Sequence, residues 1–352
     1  MEAKALVQAI LAYQRAVGMT DLARYTSTPA MDRAYPGIFG MNFGLMEMAP
    51  ELRGKEFLDQ ECRANLFRDV LAGKNVDEGE LKRLLGVSAG ELAAVQAEMY
   101  PLKKAIPDKL VVLSFDDAMK DQYTVAAPLL KKLGFGATFF ITEMEESTDP
   151  HFPHPAFSDK TVYMDWDEIK KLQDMGFELG NHSLHHVFGA HTRGVDFQRQ
   201  ETRGMEAEFE AHGLKKPLTY AYPSGICNKD TYQAAEEYGY LWARGNMEDG
   251  VCAMSAMTYY DPLLDSPLAM RSFGDPDFYS EQLLQMRIDG AKNGKILGLT
   301  YHSVLNVGNF PNGADFKRQM EILKENGCTV ISTAQLDEYI DPVKAREYTR
   351  PV

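Results

Sequence analysis

From residue 109 onwards, short apolar runs alternate with amphipathic stretches, and this alternation restricts the fold more than any other feature of the chain. The first run, residues 109–115, is almost entirely apolar, as expected for a strand that is buried on both faces. Strands separated by helical segments form parallel sheets, and this many repeats favour a barrel of (β/α) units. Further strands are predicted at 136–141, 177–180, 218–222, 240–244, 296–301 and 328–332.

The segments between these strands have the apolar spacing of helices. Asp165 and Glu168 are separated by three residues, so they predict a capping box at the start of one helix. Helices are predicted at 123–133, 166–175, 195–212, 229–238, 279–293 and 314–326, with a short one starting at Ala334.

The first hundred residues follow a different pattern from the rest of the chain. Helices are predicted at 3–17, 56–73 and 78–99, and no strand alternates with them. Pro101 and Pro107 mark the change between the two patterns. We therefore predict a helical N-terminal extension over residues 1–105 and a (β/α) barrel domain over residues 106–352.

The composition excludes several classes of protein. The net charge of -14 over 352 residues argues against nucleic acid or an anionic membrane as the main partner. No apolar run reaches the ~20 residues that span a bilayer. The four cysteines are scattered, which makes a zinc ribbon or a disulfide framework improbable. The first residues lack the pattern of a secretion signal, so we expect a cytoplasmic protein unless a leader has been removed. The oligomeric state stays open.

Polar residues able to bind a metal or transfer a proton follow several of the predicted strands. Because the carboxyl ends of parallel strands meet at one face of the sheet, we expect these residues to lie near one another. A histidine after a strand is often a core residue, but this position makes His302 a candidate proton donor. The residues concerned are Asp116, Asp117, His182, Tyr222 and His302.

His182 and His186 are four residues apart, so one helical turn would place both imidazoles on one side. With one carboxylate they would form a three-ligand set for zinc or a similar divalent ion, leaving a position for water. Asp116 and Asp117 are adjacent, and their side chains diverge, so one can serve a metal and the other a proton. The alternatives are a solvated loop or helix cap for the two acids and a surface position for the histidines. His185 would face elsewhere.

Four segments resemble the ordered motifs of the polysaccharide deacetylases, the NodB-homology metal-dependent carbohydrate esterases. The resemblance spans roughly residues 108–340 and does not cover the first hundred residues. It implies a distorted (β/α) barrel with fewer than eight regular units. The segments are 114–117, 136–140, 182–186 and 299–302.

The resemblance also implies a role for each matching residue. Asp116 corresponds to the general base and His302 to the general acid. Asp117, His182 and His186 correspond to the metal ligands. The expected metal is Zn²⁺, with Co²⁺, Ni²⁺ or Mn²⁺ as alternatives.

The segment around residue 222 departs from the family pattern. Ala221 stands where an arginine often pairs with the base, and Arg271 at a later strand end is a candidate replacement. Ser224 replaces an aromatic residue, but its backbone N–H can still complete an oxyanion hole. Tyr222 is counted as a pocket residue that contacts the substrate. Ala118 stands where glycine commonly follows the acid pair.

Together with these residues, the resemblance implies a metal-dependent hydrolase that removes acetyl groups from N-acetylated amino sugars of a glycan or oligosaccharide. An O-acetyl esterase acting on acetylated xylan-like glycans is an alternative, because the same metal and acid–base pair would serve it. A catalytically decayed carbohydrate-binding protein is a second alternative, suggested by the missing arginine at residue 221.

Overall fold

A computed structural model describes residues 77–85, 88, 90–91, 101–148, 153–245, 247–248, 259–262, 265–274, 280–305 and 316–349. The helices predicted at 3–17 and 56–73 lie outside these residues. Of the helix predicted at 78–99, the described part includes α1, Glu78–Leu85. The division between residues 1–105 and 106–352 therefore stays a prediction.

Ten strands are described, and all pairs between them are parallel. Eight of them form one sheet in the order β6-β4-β3-β2-β1-β9-β8, with β10 also paired to β1, while β5 and β7 pair separately. The strands are β1 Leu110–Phe115, β2 Thr138–Ile141, β3 Glu178–Asn181, β4 Thr219–Ala221, β5 Ile226–Cys227, β6 Trp242–Arg244, β7 Met247–Glu248, β8 Phe273–Gly274, β9 Leu297–Tyr301 and β10 Thr329–Ile331.

The main sheet curves back on itself. Met270, just before β8, forms a parallel bridge with Arg244 of β6, so the last strand of the order returns to the first. One edge of β1 pairs with β9. The other edge pairs with β10 along its first half and with β2 along its second half. The predicted distorted (β/α) barrel is confirmed, and its distortion lies at this divided edge of β1.

The helices lie between the strands as the apolar spacing predicts. Asp165 and Glu168 form the predicted capping box, in which each side chain accepts from the other residue's backbone N–H. The segment expected as one helix at 123–133 instead begins as a π-helix, Gln122–Ala126. The α-helices that follow α1 are α2 Ala127–Leu133, α3 Trp166–Asp174, α4 Val195–Ala211, α5 Lys229–Glu237, α6 Glu281–Gly290, α7 Phe316–Glu325 and α8 Pro342–Thr349.

Every residue of β1 is buried, which is what its continuous apolar run predicts. Val111, Leu113 and Phe115 belong to the large cluster that includes residues of the surrounding helices. Leu110 and Val112 belong to a second cluster with residues of β6, β10 and the 3₁₀ helix Ala334–Glu338 that follows β10. Each such side chain contributes ~1.5–3 kcal/mol when fully buried, and β1 supplies side chains to both clusters.

Glu178 joins the segments at the amino ends of the strands. Its carboxylate accepts hydrogen bonds from the hydroxyls of Thr138, at 2.9 Å, and Thr219, at 2.5 Å. It also accepts from the backbone N–H of Ala334, at 2.7 Å. Burial raises the pKa of this carboxyl above its ordinary value. These bonds tie β2, β3, β4 and the segment after β10 at one end of the barrel.

None of the helices in the described part of the chain has both the length and the apolar character that a membrane crossing requires.

Candidate metal centre and active site

Three side chains at the carboxyl ends of the strands, the end of the barrel opposite Glu178, converge on one point. Asp117 Oδ1 lies 3.4 Å from His182 Nε2 and 3.6 Å from His186 Nε2. Ligands at ~2.1 Å from a tetrahedral ion are about 3.4 Å apart, so this spacing suits a common ion. Within the described ranges, no other group of three histidine, cysteine or acidic side chains has this arrangement.

The atoms that face one another have no hydrogen-bond partner among the described residues. Asp117 Oδ1 and His182 Nε2 are both buried and unpaired. Because buried polar atoms are rarely left unpaired, two such atoms turned toward each other fit a bound cation. His182 Nδ1 lies 2.8 Å from the carbonyl oxygen of Ala221. If Nδ1–H donates to this carbonyl, Nε2 presents its lone pair to a metal.

The electrostatics of the three residues suit metal binding. Burial lowers the pKa of His186 to about 4, so its imidazole is neutral and free to act as a ligand at neutral pH. Burial alone would raise the pKa of Asp117, but the imidazoles of His186 and His182 hold it well below its usual range. The site therefore presents one carboxylate and neutral imidazole nitrogen, the donor set that zinc accepts.

The expectation that His182 and His186 share a helical turn is wrong. Residues 182–187 form an irregular loop that continues from β3. Ser183 shapes this loop, because its hydroxyl accepts from the backbone N–H of His186 at 3.1 Å. His185 points to Glu201, with 2.9 Å between His185 Nδ1 and Glu201 Oε1. Its exclusion from the ligand set agrees with this contact.

The backbone around the site adopts left-handed conformations that most side chains avoid. Seven non-glycine residues in the described part of the chain have positive φ, and five of them lie here. Each costs ~1–2 kcal/mol, which the surrounding sheet must offset. Ala118 has a φ of 53°, which explains why glycine suits this position. The five are Asp117, Ala118, Ser183, His186 and Ser224.

Arg244, at the end of β6, is a residue that the sequence analysis missed. Its guanidinium Nη2 contacts Asp116 Oδ2, and the two side chains are only 6% and 5% exposed. Arg271 instead binds Asp265, with 2.9 Å between Nε and Oδ1. The assignment of Arg271 as partner of Asp116 is therefore wrong. One feature of the sequence pointed to Arg244, because it is a single basic residue at the carboxyl end of the strand predicted at 240–244.

Tyr222 and Ser224 occupy different environments in the turn after β4. The side chain of Tyr222 is 1% exposed, and its hydroxyl donates to the carbonyl oxygen of Leu268 at 2.9 Å. The expectation that this side chain contacts a substrate is therefore wrong, because it is a core residue. Ser224 is partly exposed with a φ of 59°, one turn beyond Ala221, whose carbonyl faces His182. Its role as an oxyanion donor stays a prediction.

His302 and Asp116 each lie within 4 Å of a candidate ligand. His302 Nε2 is 3.9 Å from Asp117 Oδ2, and Asp116 Oδ2 is 3.7 Å from His182 Nε2. The ring of His302 is 24% exposed, whereas the two carboxylates are almost fully buried. The ring of His302 can therefore exchange protons with solvent, whereas the two carboxylates beside it are shielded from solvent.

Comparison with known proteins identifies the part of the chain that carries most of this site. Residues 103–243 match the family model for polysaccharide deacetylase. This segment belongs to the polysaccharide deacetylase family. The match contains the three candidate ligands and Asp116 but ends one residue before Arg244. The positions of Arg244 and His302 beside the candidate site are therefore known from the geometry and not from the matched segment.

Two curated deacetylase relatives match at low identity. YxkH of Bacillus subtilis (strain 168) is 26% identical over 135 residues, which cover 38% of this chain and 43% of that protein. The peptidoglycan-N-acetylglucosamine deacetylase of Bacillus cereus is 24% identical over 140 residues, 39% of this chain and 57% of that protein. This chain thus spans about half the length of the curated relatives it matches. The structure of a polysaccharide deacetylase homologue from Mycobacterium smegmatis aligns at 17% identity with a TM-score of 0.46, covering 67% of this chain and 92% of the other.

Proposed function

We propose that this protein is a metal-dependent carbohydrate deacetylase that removes acetyl groups from N-acetylated amino sugars of a glycan or oligosaccharide. The observation that carries the proposal is the grouping of Asp116 and His302 around a three-ligand set at the carboxyl ends of the strands. This grouping combines a proton acceptor, a proton donor and a place for a Lewis acid, which acyl hydrolysis requires.

Asp117, His182 and His186 would hold the ion. One carboxylate and two imidazoles favour Zn²⁺, and the same donor set accepts Co²⁺, Ni²⁺ or Mn²⁺. When bound, a divalent ion supplies Lewis acidity toward the acetyl carbonyl and acidifies water.

The residues around the ion would move the protons. Asp116 accepts a proton as the oxygen of water bonds to the acetyl carbon, and Arg244 holds its carboxylate in place. The backbone N–H of Ser224 donates to the carbonyl oxygen as negative charge develops there. His302 then gives a proton to the sugar nitrogen as the C–N bond breaks. The products are acetate and a free amino sugar.

The choice of an N-acetylated substrate is supported by the relative from Bacillus cereus, which is named for peptidoglycan N-acetylglucosamine. The alternative of a decayed binding protein was motivated by the absence of arginine at residue 221. Arg244 now supplies the cation beside Asp116, which removes that motive.

The test is to measure metal content and acetate release on chitooligosaccharides, peptidoglycan and acetylated xylan. We expect one bound divalent ion per chain and acetate from the first or second substrate, lost with a chelator and restored by Zn²⁺. Acetate from xylan alone would replace the proposal with an O-acetyl esterase. A full metal site with no acetate from any substrate would replace it with a binding protein.

A further inference from the structure

Gln122 is a fully buried residue that joins the backbone of Asp116 to that of His302. Its amide nitrogen donates to the carbonyl oxygen of Asp116 and, at 3.0 Å, to that of His302. The backbone ladder between β1 and β9 ends at Phe115 and Tyr301, with one further bond from the N–H of Asp116. Gln122 therefore adds a side-chain link just beyond the end of the ladder.

Asp121, the residue before it in the chain, holds the backbone that follows His302. Its Oδ2 accepts from the hydroxyl of Ser303 and from the backbone N–H groups of Val304, at 2.9 Å, and Leu305, at 2.7 Å. Hydrogen bonds to a carboxylate are stronger than those between neutral groups. The loop that begins at His302 is thus fixed by two consecutive side chains.

The local helix type agrees with a specialised role for these residues. The π-helix starts at Gln122, the residue that reaches both carbonyls. Single π turns are uncommon and occur frequently at functional sites. The segment also follows Asp116 and Asp117 directly, so one stretch of 116–122 carries the acids and the link to the loop of His302.

We infer that Asp121 and Gln122 are positioning residues that set the place of His302 relative to Asp116. The inference rests on the proposed function, in which these two residues are proton donor and acceptor. Proton transfer requires heavy atoms within ~2.6–3.2 Å, and a misplacement of about 1 Å can lower turnover by ~10²-fold. The hydrogen bonds of Asp121 and Gln122 go to the backbone and to Ser303, so their influence on turnover acts through the backbone.

The first test replaces Gln122 with a residue of similar length that cannot donate. Gln122→Met should lower kcat by about ten- to a hundredfold, with KM and metal content close to wild type. The matched control is Gln319→Met, because Gln319 is also buried and its side chain accepts from the hydroxyl of Tyr301, at 2.6 Å. The control should keep kcat even though it also loses a buried hydrogen bond.

The second test measures the loop directly and does not depend on activity. In Asp121→Ala and Gln122→Met, backbone hydrogen exchange at Val304 and Leu305 should be faster by about tenfold or more than in wild type. Exchange at these residues should stay unchanged in Gln319→Met.

These outcomes separate the inference from the proposed function. A wild-type chain that releases no acetate would remove the function, while the exchange rates would still decide whether Asp121 and Gln122 hold the loop. Unchanged exchange in both variants overturns the inference. A kcat in Gln122→Met no lower than in Gln319→Met also overturns it, as does a loss of metal that matches the loss of kcat.

Discussion

The two ends of the barrel both bury carboxylates, but they shift the pKa of these groups in opposite directions. At the amino ends, Glu178 accepts hydrogen bonds from Thr138, Thr219 and Ala334, and burial raises its pKa. At the carboxyl ends, the imidazoles around Asp117 hold its pKa well below the usual range, and one of its oxygens has no partner among the described residues. At the amino ends, the oxygens of Glu178 are bonded to neutral donors from neighbouring segments. At the carboxyl ends, Asp117 Oδ1 and His182 Nε2 face each other without a hydrogen-bond partner among the described residues.

This difference separates a structural polar cluster from a functional one. A cluster that only joins strands gains most when every polar atom is bonded, because an unpaired buried group costs ~1–3 kcal/mol. Unpaired atoms and left-handed backbone at one end therefore indicate that this end is adapted to a ligand. The comparison also explains why buried carboxylates alone would not have located the site.

The largest expected effect lies at the carboxyl ends. His186→Ala should lose both bound metal and activity, because it removes one of three ligands. Asp116→Asn should keep the metal and lower turnover by ~10²–10⁴-fold, because only the proton acceptor is lost. Metal analysis of the purified variants, beside their rates of acetate release, checks the pair.

Glu178→Gln serves as the control for this pair, since it changes a buried carboxyl at the other end and should keep both metal and turnover. Equal loss of metal in His186→Ala and Asp116→Asn would contradict the assignment of separate roles.

The next effect concerns the buried ion pair. Arg244→Met should lower the free energy of unfolding by ~3–5 kcal/mol, because it leaves Asp116 buried without its cation. Turnover should also fall, by about 10²-fold, because the carboxylate is no longer held. Chemical denaturation and initial rates measure the two effects, and Asp116→Asn in the same chain should restore part of the stability.

Arg271→Met is the matched variant, since Arg271 and Asp265 form a similarly buried pair. It should lose stability without a comparable loss of turnover. An equal loss of turnover in both arginine variants would show that Arg244 has no special relation to the site.

A smaller effect concerns pH at the amino ends. The folded protein keeps a proton on Glu178 at pH values where the unfolded chain has lost it, because burial raises the pKa of this residue. Its contribution to the free energy of unfolding is complete below the ordinary value of 4.5 and disappears as the pH rises through the raised value. The Glu178→Gln variant has no carboxyl group at this position and does not lose this contribution. Its free energy of unfolding relative to wild type should therefore increase from about pH 5 to about pH 8. Denaturation curves at the two pH values measure the difference, and a constant difference would argue against a raised pKa.

The smallest effect concerns the turn after β4. Ser224→Gly should raise the free energy of unfolding by up to about 1 kcal/mol, because glycine adopts a φ of 59° without strain. Turnover should change little, since the backbone N–H remains. A large loss of turnover would show that the hydroxyl of Ser224, rather than its N–H, acts on the substrate.

The sequence was sufficient for seven of the ten described strands and for the helices between them, because buried parallel strands are continuous apolar runs. It did not predict β5, β7 and β8, because strands of two residues are too short to form an apolar run. It also placed Asp116, Asp117, His182 and His302 at strand ends, and the structure brings these residues together. Periodicity could not reveal that residues 182–187 form a loop, because a four-residue spacing fits several backbone paths.

The partners of these residues could not be predicted for a different reason. Arg244 reaches Asp116 across 128 positions of the chain, and this contact depends on the curvature that brings β6 near β1. Only Arg271 was considered from the sequence, and identifying Arg244 instead required knowing which arginine side chain points toward Asp116. Tyr222 was misjudged in the same way, since a residue at a strand end can still turn its side chain into the core.

The divided edge of β1 has a consequence for biosynthesis. This strand pairs with β2, which is made soon after it, and with β9 and β10, which are made much later. At ~5–20 residues per second, roughly 10–40 s pass between the synthesis of β1 and that of β10. Throughout that interval the most apolar strand has an open edge, a state that promotes aggregation. Until β10 has left the ribosome, this edge of the nascent chain is therefore prone to aggregation.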